Sequence, residues 1–406
     1  MKIISCTLTI LLFFALIPLK SQHISRNDSI INEALALISA DSVQDQLQWL
    51  QDMGTRFMMA ENHKEVGEHI KARFESFGMT EVKLDSFECQ TNINYGIIHY
   101  DTMTWQYNVE ARLIGSVYPD EEILLMGHYD NVQLDSDPEL YSPGADDDGS
   151  GTVAVLETAR VLMLMGYQPE KTIVFLTTAA EELMNFGYAG SEHYAAEASQ
   201  AGRNIWGVIN NDMIAYDIGT DKIGFSNVIG SEELTGIAAL ITDEYTSLTA
   251  VIPNPHNNTG SDLQPFLDAG YSGLYLEENI FNPYYHTEQD IIENCDIDYL
   301  TEVIKISCGS VIYSDISLGT EDLVEEEIYI SAFPNPCSDQ IRIILHNQGD
   351  EYSLLLTNTM GQTLMSKVIS PQTKDILLPM SNYSPGIYFV HVRTNSQYKT
   401  IKVIKD

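Results

Sequence analysis

"EEILLMGHYDN", Glu121–Asn131, is an apolar run that closes on a histidine and an aspartate. A half-buried strand alternates polar and apolar residues, whereas a continuous apolar run is buried on both faces. The stretch therefore reads as an interior strand of a covered sheet, with His128 and Asp130 at its carboxyl end. Shortly after it comes "SPGADDDGSGTVAVLE", Ser142–Glu157, where Asp146, Asp147 and Asp148 run straight into an apolar, helix-like segment. Adjacent carboxylates repel, and burying one is costly unless a cation or hydrogen bonds compensate. The plain reading is a solvated turn that caps a helix. The sharper one is that something positive sits there.

Upstream, from about Ser29 to Phe77, apolar residues recur at helical spacing, as in "LQWLQDMGTRF" and "KEVGEHIKARFESFG", and Gly78 ends the pattern. Glu81 to Val117 alternates as strands do. Downstream, a helix from about Ser150 to Met165 leads to a second buried strand, "KTIVFLTTAAEE", ending at Glu181 and Glu182. A helical stretch around Gly187 to Ala198 precedes a third strand, "NIWGVINNDMIAYD", which carries Asp212. Then follow a helix (Glu232 to Tyr245), a short strand (Ala250, Val251), a helix near Gln264 to Ala269 and the strand "YSGLYLEE". "NPYYHTEQD" holds Tyr285 and His286, and a last helix runs from about Ile297 to Ser314. This alternation predicts an α/β fold with a mostly parallel central sheet flanked by helices. Ligand sites in such sheets lie beyond the carboxyl ends of the strands, where these polar residues fall. Past the acidic "GTEDLVEEE", short alternating runs separated by turn residues predict a small all-β sandwich.

The expected organisation is a signal peptide over residues 1–22, a catalytic-size domain over 23–318, an acidic linker over 319–328 and the sandwich over 329–406. "MKIISCTLTILLFFALIPLKSQ" has a short basic start and an apolar run too short for a comfortable membrane span, as secretory signals do. No later segment is long and apolar enough to cross a bilayer, so no stable membrane span is expected. The 406 residues carry a net charge of −37, which argues against partners recognised by phosphate, whether nucleic acid or anionic lipid. Export would permit disulfides. Cys295 and Cys308 are close enough in sequence to pair, and buried free thiols are an equal alternative.

The polar groups at the strand ends are His128, Asp130, Asp146 to Asp148, Glu181, Glu182, Asp212 and His286. Imidazoles mixed with carboxylates, and no thiolate, suit zinc or another first-row divalent metal better than calcium. Two histidines and three or more carboxylates suffice for two ions that share a bridging carboxylate. A free carboxylate beside them could act as general base, and the pair Glu181–Glu182 can supply both jobs.

"GHYD", "PGADDDGSG", "AAEE", "NNDMIAY" and "YHTEQD", in this order, resemble the M28 family of zinc aminopeptidases, over roughly Gln48 to Ser314. The resemblance implies two zinc ions. His128 would bind one and His286 the other, Asp147 would bridge them with a cis peptide to Asp148, and Glu182 and Asp212 would each complete one. Glu181 would be the general base, Asp130 would orient the His128 ring, and Tyr285 could donate to the oxyanion. The substrate would be a peptide with a free N-terminus. Many members carry a histidine after a Ser-Asp pair late in the domain; Leu263 stands there in this chain, which bears on the substrate pocket.

"FPNPCSDQIRI", "NTMGQTL" and "SPGIYFVHV" resemble the type A sorting domain of the type IX secretion system. That resemblance implies the type IX machinery as partner and a secreted or cell-surface destination. Three other readings compete with the aminopeptidase: a single-zinc glutaminyl cyclase, a carboxypeptidase of the same family, and a non-catalytic binding protein on a peptidase scaffold. His256 lies in a loop near the site and is a candidate substrate contact, His193 is read as structural, and the remaining histidines are given no role.

Overall fold

The computed structural model describes residues 26–95, 98–182, 188–256, 259–316, 330–345, 352–370, 373, 375–393 and 398–406. The expected signal peptide and acidic linker lie outside these described residues. The described residues begin with three helices: α1 (Arg26–Leu35), α2 (Ala40–Gln51) and α3 (His63–Ser76). Ser39 caps α2 by accepting the Ser42 amide at 3.2 Å, and Val43, Leu47 and Leu50 form its buried stripe. The helical pattern read through "QDMGTRF" stops earlier than expected. Gly54 takes φ +83° after α2, a conformation that costs glycine little, and residues 52–62 form a loop with Arg56 at its centre.

A long hairpin follows, β1 (Glu81–Tyr95) with β2 (Ile98–Leu113), then β3 (Tyr118–His128), α4 (Gly151–Met165) and β4 (Lys171–Thr178). Next come α5 (Ala189–Gln200), β5 (Asn204–Asn211), β6 (Lys222–Phe225), α6 (Glu232–Tyr245) and β7 (Thr249–Val251). Then α7 (Gln264–Asp268), β8 (Gly273–Glu278) and α8 (Ile297–Asp315) complete the domain. The sheet order is β1-β2-β4-β3-β5-β8-β6-β7. Its centre, β4-β3-β5-β8, is parallel as expected, while β1, β2 and β6 pair antiparallel, so the whole sheet is mixed.

The continuous apolar run of β3 has a direct cause. Ile123 and Leu125 point into one core, beneath α1 to α4, α6 and α8, and Leu124 and Met126 into another, beneath α5 and α7. Covering both faces leaves only the strand ends open, which is what positions the site. The approach of α4 to the sheet is close. A Cβ on Gly151 would stand 2.2 Å from the Asn211 carbonyl oxygen, and one on Gly127 would stand 2.7 Å from the Gly151 carbonyl carbon. Glycine at both positions lets the strand-end loop and the helix meet.

Among the described residues the C-terminal sandwich has seven strands: β9 (Ile330–Phe333), β10 (Gln340–Leu345), β11 (Tyr352–Asn358), β12 (Thr363–Ile369), β13 (Asp375–Pro379), β14 (Gly386–Arg393) and β15 (Tyr398–Lys405). They make two antiparallel sheets, β13-β10-β9 and β12-β11-β14-β15, over a core that includes Ile341, Ile343, Leu354, Leu356, Val390 and Val403. Cys89, Cys295, Cys308 and Cys337 are all free thiols. Cys295 and Cys308 do not pair, because α8 begins between them and carries Cys308 about 16 Å along its axis from the helix start. Among the described residues no helix is long and apolar enough to cross a membrane.

Candidate metal centre

His128 is the last residue of β3, Asp212 follows β5 directly, Glu181 and Glu182 lie just past β4, and His286 lies in the loop after β8. The parallel register brings these ends to one edge of the sheet, and the loop of three aspartates reaches the same place. Asp147 Oδ1 lies 3.3 Å from His128 Nε2, and its Oδ2 lies 3.2 Å from His286 Nε2. His128 Nε2 is 3.6 Å from Asp212 Oδ1, and His286 Nε2 is 2.9 Å from Glu182 Oε2. Two donor sets result, His128–Asp147–Asp212 and Asp147–Glu182–His286, and every member is buried. Asp147 belongs to both.

The neighbouring aspartates do different work. Asp148 accepts the His128 amide at 3.0 Å, the Gly151 amide at 2.8 Å and the Met213 amide at 3.3 Å, tying β3, α4 and the Asp212 segment together. Asp146 accepts the Ala215 amide at 2.7 Å and Asn282 Nδ2 at 2.8 Å, and pairs with the Glu278 carboxyl. Burial and the Asp146 charge raise Glu278 far above the usual carboxylate range, so the proton of that pair sits on Glu278. The Asp147–Asp148 peptide is cis.

Two residues outside the expected set hold this loop. Asp290, the last residue of "YHTEQD", accepts the Asp146 and Asp147 amides at 3.0 Å each. Arg56, fully buried, donates to the carbonyls of Tyr129 at 2.7 Å, Pro143 at 2.9 Å and Gly144 at 2.6 Å. Burial lowers Arg56 to about 10, against the pull of Asp290, Asp148, Asp130 and Asp147, so it remains a cation at neutral pH. A lone arginine in the apolar "MGTRFMM" was the available signal for it. Asp262, of the "GSD" segment, is also buried and accepts from Thr178 and, at 2.6 Å, from Ser191.

The site is a concentration of negative charge. Burial alone would raise Asp147, but the hydrogen bonds and charges of His128 and His286 hold it well below the usual carboxylate range. Burial, with the Asp147 charge, raises Glu182 to about 8 against the pull of His286. Burial would lower His286, but Glu182 and Asp147 raise it to about 10. Burial also raises Glu181, aided by Asp212 and Glu182 and opposed by His128.

The residues fit a metal on their own geometry. Two ligand atoms each about 2.0–2.2 Å from one tetrahedral ion are about 3.3–3.6 Å apart, close to the separations within both sets. Asp147 Oδ2 is shielded from solvent and meets His286 Nε2 at 3.2 Å off hydrogen-bond geometry, a buried acceptor that a cation would satisfy. Glu181 belongs to neither set. It is partly exposed, and its carboxylate makes no hydrogen bond to a described residue, while its amide donates to Asp130 Oδ1 at 3.1 Å. Asp130 Oδ2 accepts the Glu182 amide at 3.2 Å, and the His128 ring nitrogen Nδ1 meets the Asp130 carbonyl oxygen at 3.1 Å, nearer than its carboxylate at 3.6 Å.

Tyr285 is 37% exposed, stacks on His286 and meets Phe281 edge-on. Its hydroxyl has no hydrogen-bond partner among the described residues. Leu263 points into the core. It is fully buried in the apolar cluster with Leu124, Met126 and Phe266, and packs where Gly273 offers no side chain. His256 pairs by its backbone with Asn227 and Ile229.

A family model for peptidase family M28 matches residues 108–311, half of the chain, and one for a secretion system C-terminal sorting domain matches residues 331–406. A probable aminopeptidase of Saccharomyces cerevisiae is 26% identical over 300 residues, covering 70% of this chain and 76% of its own length. Among solved structures, LapB of Legionella pneumophila superposes with a TM-score of 0.59 at 21% identity, covering 71% of this chain and 76% of that one. A zinc aminopeptidase of Bacillus subtilis superposes with a TM-score of 0.57 at 15% identity, covering 70% and 97%.

Proposed function

The chain belongs to peptidase family M28, and from that premise we propose that it is an exported zinc aminopeptidase that removes residues from free peptide N-termini. The observation that carries the reading is the pair of buried donor sets sharing Asp147, with the unengaged Glu181 carboxylate beside them. His128 and Asp212 would hold one ion and Glu182 and His286 the other, with Asp147 available to both. Zinc bound there would supply Lewis-acid polarisation to a water and to the scissile carbonyl. Glu181 is the general base. It takes the proton of the attacking water as the oxygen bonds to the carbonyl carbon, and delivers it to the leaving amine nitrogen as the C–N bond breaks. Asp130 holds the Glu181 and Glu182 backbone in place through their amides. Tyr285 offers its free hydroxyl to the developing oxyanion. The concentration of carboxylates favours the ammonium group of a peptide N-terminus over a carboxylate terminus.

Export follows from both ends of the chain. The signal peptide would carry it across the inner membrane, and the sorting domain would hand it to the type IX machinery for release or surface display. The test uses the purified mature protein and Glu181→Gln. At the strand-end centre about two zinc ions per chain are expected in both proteins, with amino-acid release from unblocked peptides lost only in the variant. One zinc per chain with cyclisation of N-terminal glutamine would move the protein to the cyclase reading. Metal-free protein without turnover would leave a binding scaffold.

A further inference from the structure

A second kind of metal-ligating group stands on a different part of the molecule. His193 and Glu197 are four residues apart on α5 and so share one face of it, and Asp85 reaches them from β1. His193 Nε2 lies 3.3 Å from Asp85 Oδ2 and 3.8 Å from Glu197 Oε2. The imidazole is stacked on Phe87, with centroids 4.7 Å apart and planes at 14°, so its Nε2 is aimed rather than free to turn. Asp85 Oδ2 and His193 Nε2 are both shielded from solvent, and neither has a hydrogen-bond partner among the described residues. They face each other as an ion pair without hydrogen-bond geometry, at the spacing of two ligands on one ion.

We propose that Asp85, His193 and Glu197 form a separate divalent-metal site that staples α5 to the hairpin of β1 and β2. One imidazole and two carboxylates select zinc or another first-row ion over calcium or magnesium. The separations of 3.3 and 3.8 Å suit ligands spread around one such ion. Lys83 is the cation nearest by, on the same face of β1, and its ammonium lies 3.7 Å from Glu110, so it does not fill the gap. The Glu197 side chain is 60% exposed, which leaves the outer coordination positions to water and makes the site fillable from solution. None of the three residues belongs to the strand-end centre. The site's effect is therefore structural: α5 begins just past the segment that carries Glu181 and Glu182, and the ion would pin that helix to the sheet edge.

The experiment is a zinc titration of the mature full chain against a competing chromophoric chelator, with thermal denaturation of the same samples. Wild type is compared with Glu197→Gln and His193→Asn. Glu197→Gln keeps the Asp85–His193 pair and the helix, so it isolates the metal from the ion pair. The wild type is expected to show one zinc-binding step more than either variant, and micromolar zinc should raise its melting temperature beyond the shift seen in the variants. Peptidase turnover at saturating zinc should be the same in all three. Equal numbers of steps in wild type and both variants, or a step that persists in His193→Asn, would mean an ordinary ion pair with adventitious surface binding and would overturn the site. The comparison reads a difference between proteins, so it stands whatever the strand-end centre proves to hold.

Discussion

Asp290 holds Asp147 by its backbone: one carboxylate oxygen accepts the Asp147 amide at 3.0 Å while the other accepts the Asp146 amide at the same distance. The side chain shared by both donor sets is thus placed by a residue from the loop of His286, far along the chain. Asp290→Ala would leave two buried amides unpaired, at about 1–3 kcal/mol each. The same change should weaken zinc binding about 10–100-fold, as loss of a partner behind the ligands does. Urea unfolding and zinc titration on one preparation read the two effects. A destabilised variant with wild-type zinc affinity would mean that Asp290 serves folding alone.

Arg56 supports the other side of the loop. Its guanidinium reaches the Tyr129, Pro143 and Gly144 carbonyls at once, from beneath a cluster of carboxylates. Arg56→Met keeps much of the volume but leaves these acceptors unpaired and removes a buried counter-charge, a loss of about 3–5 kcal/mol. Arg56→Lys should recover little of it, because one ammonium cannot present the planar fork. Thermal melts of both variants check this. Lysine restoring wild-type stability would show that charge alone matters there.

These two residues also mark how far the sequence could be read. The ends of β3, β4 and β5 were legible because a strand covered on both faces is written as an apolar run, and the first polar residue after the run marks its open end. His128, Glu182, Asp212 and His286 could therefore be brought together before any coordinates. Arg56 could not. It sits in a loop that continues the apolar spacing of α2, and only the left-handed turn at Gly54 shows that the helix has stopped. Asp290 and Asp262 act through backbone amides and hydroxyls, contacts that leave no spacing pattern in the chain. That Leu263 is core depends on its packing against Gly273, a strand neighbour that its place after Ser-Asp does not reveal. The four-residue β6 is too short to carry a period of its own.

Tyr285 gives a prediction that separates chemistry from structure. Burial and the charges of Glu182, Asp147, Glu181 and Asp212 all push its hydroxyl up, so it stays protonated and able to donate at any working pH. Tyr285→Phe removes that donor from a ring that is 37% exposed, so the melting temperature should hardly move. Loss of one oxyanion donor should lower kcat about 10²–10³-fold with KM changed much less. A change confined to KM would assign the ring to substrate binding.

Zinc loading should depend steeply on pH, and the sign follows from two ligands. Without metal, Glu182 is raised to about 8, chiefly by burial and the Asp147 charge, so it carries its proton at neutral pH. His286, which burial would lower, is raised by Glu182 and Asp147 to about 10 and is an imidazolium there. A zinc ligand must be a carboxylate or a neutral imidazole, so both protons leave when the ion enters. Affinity should therefore rise with pH, by up to about 100-fold per unit below pH 8, where two protons are displaced, and about tenfold per unit between 8 and 10. Calorimetry at pH 7 in buffers of differing ionisation enthalpy should register about two protons released as this half of the centre fills. The His286→Ala protein should lose the steeper dependence along with that ion. An affinity flat from pH 7 to 9 would show that neither group holds a proton in the metal-free protein, and that the negative charge around Asp147 is balanced in some other way.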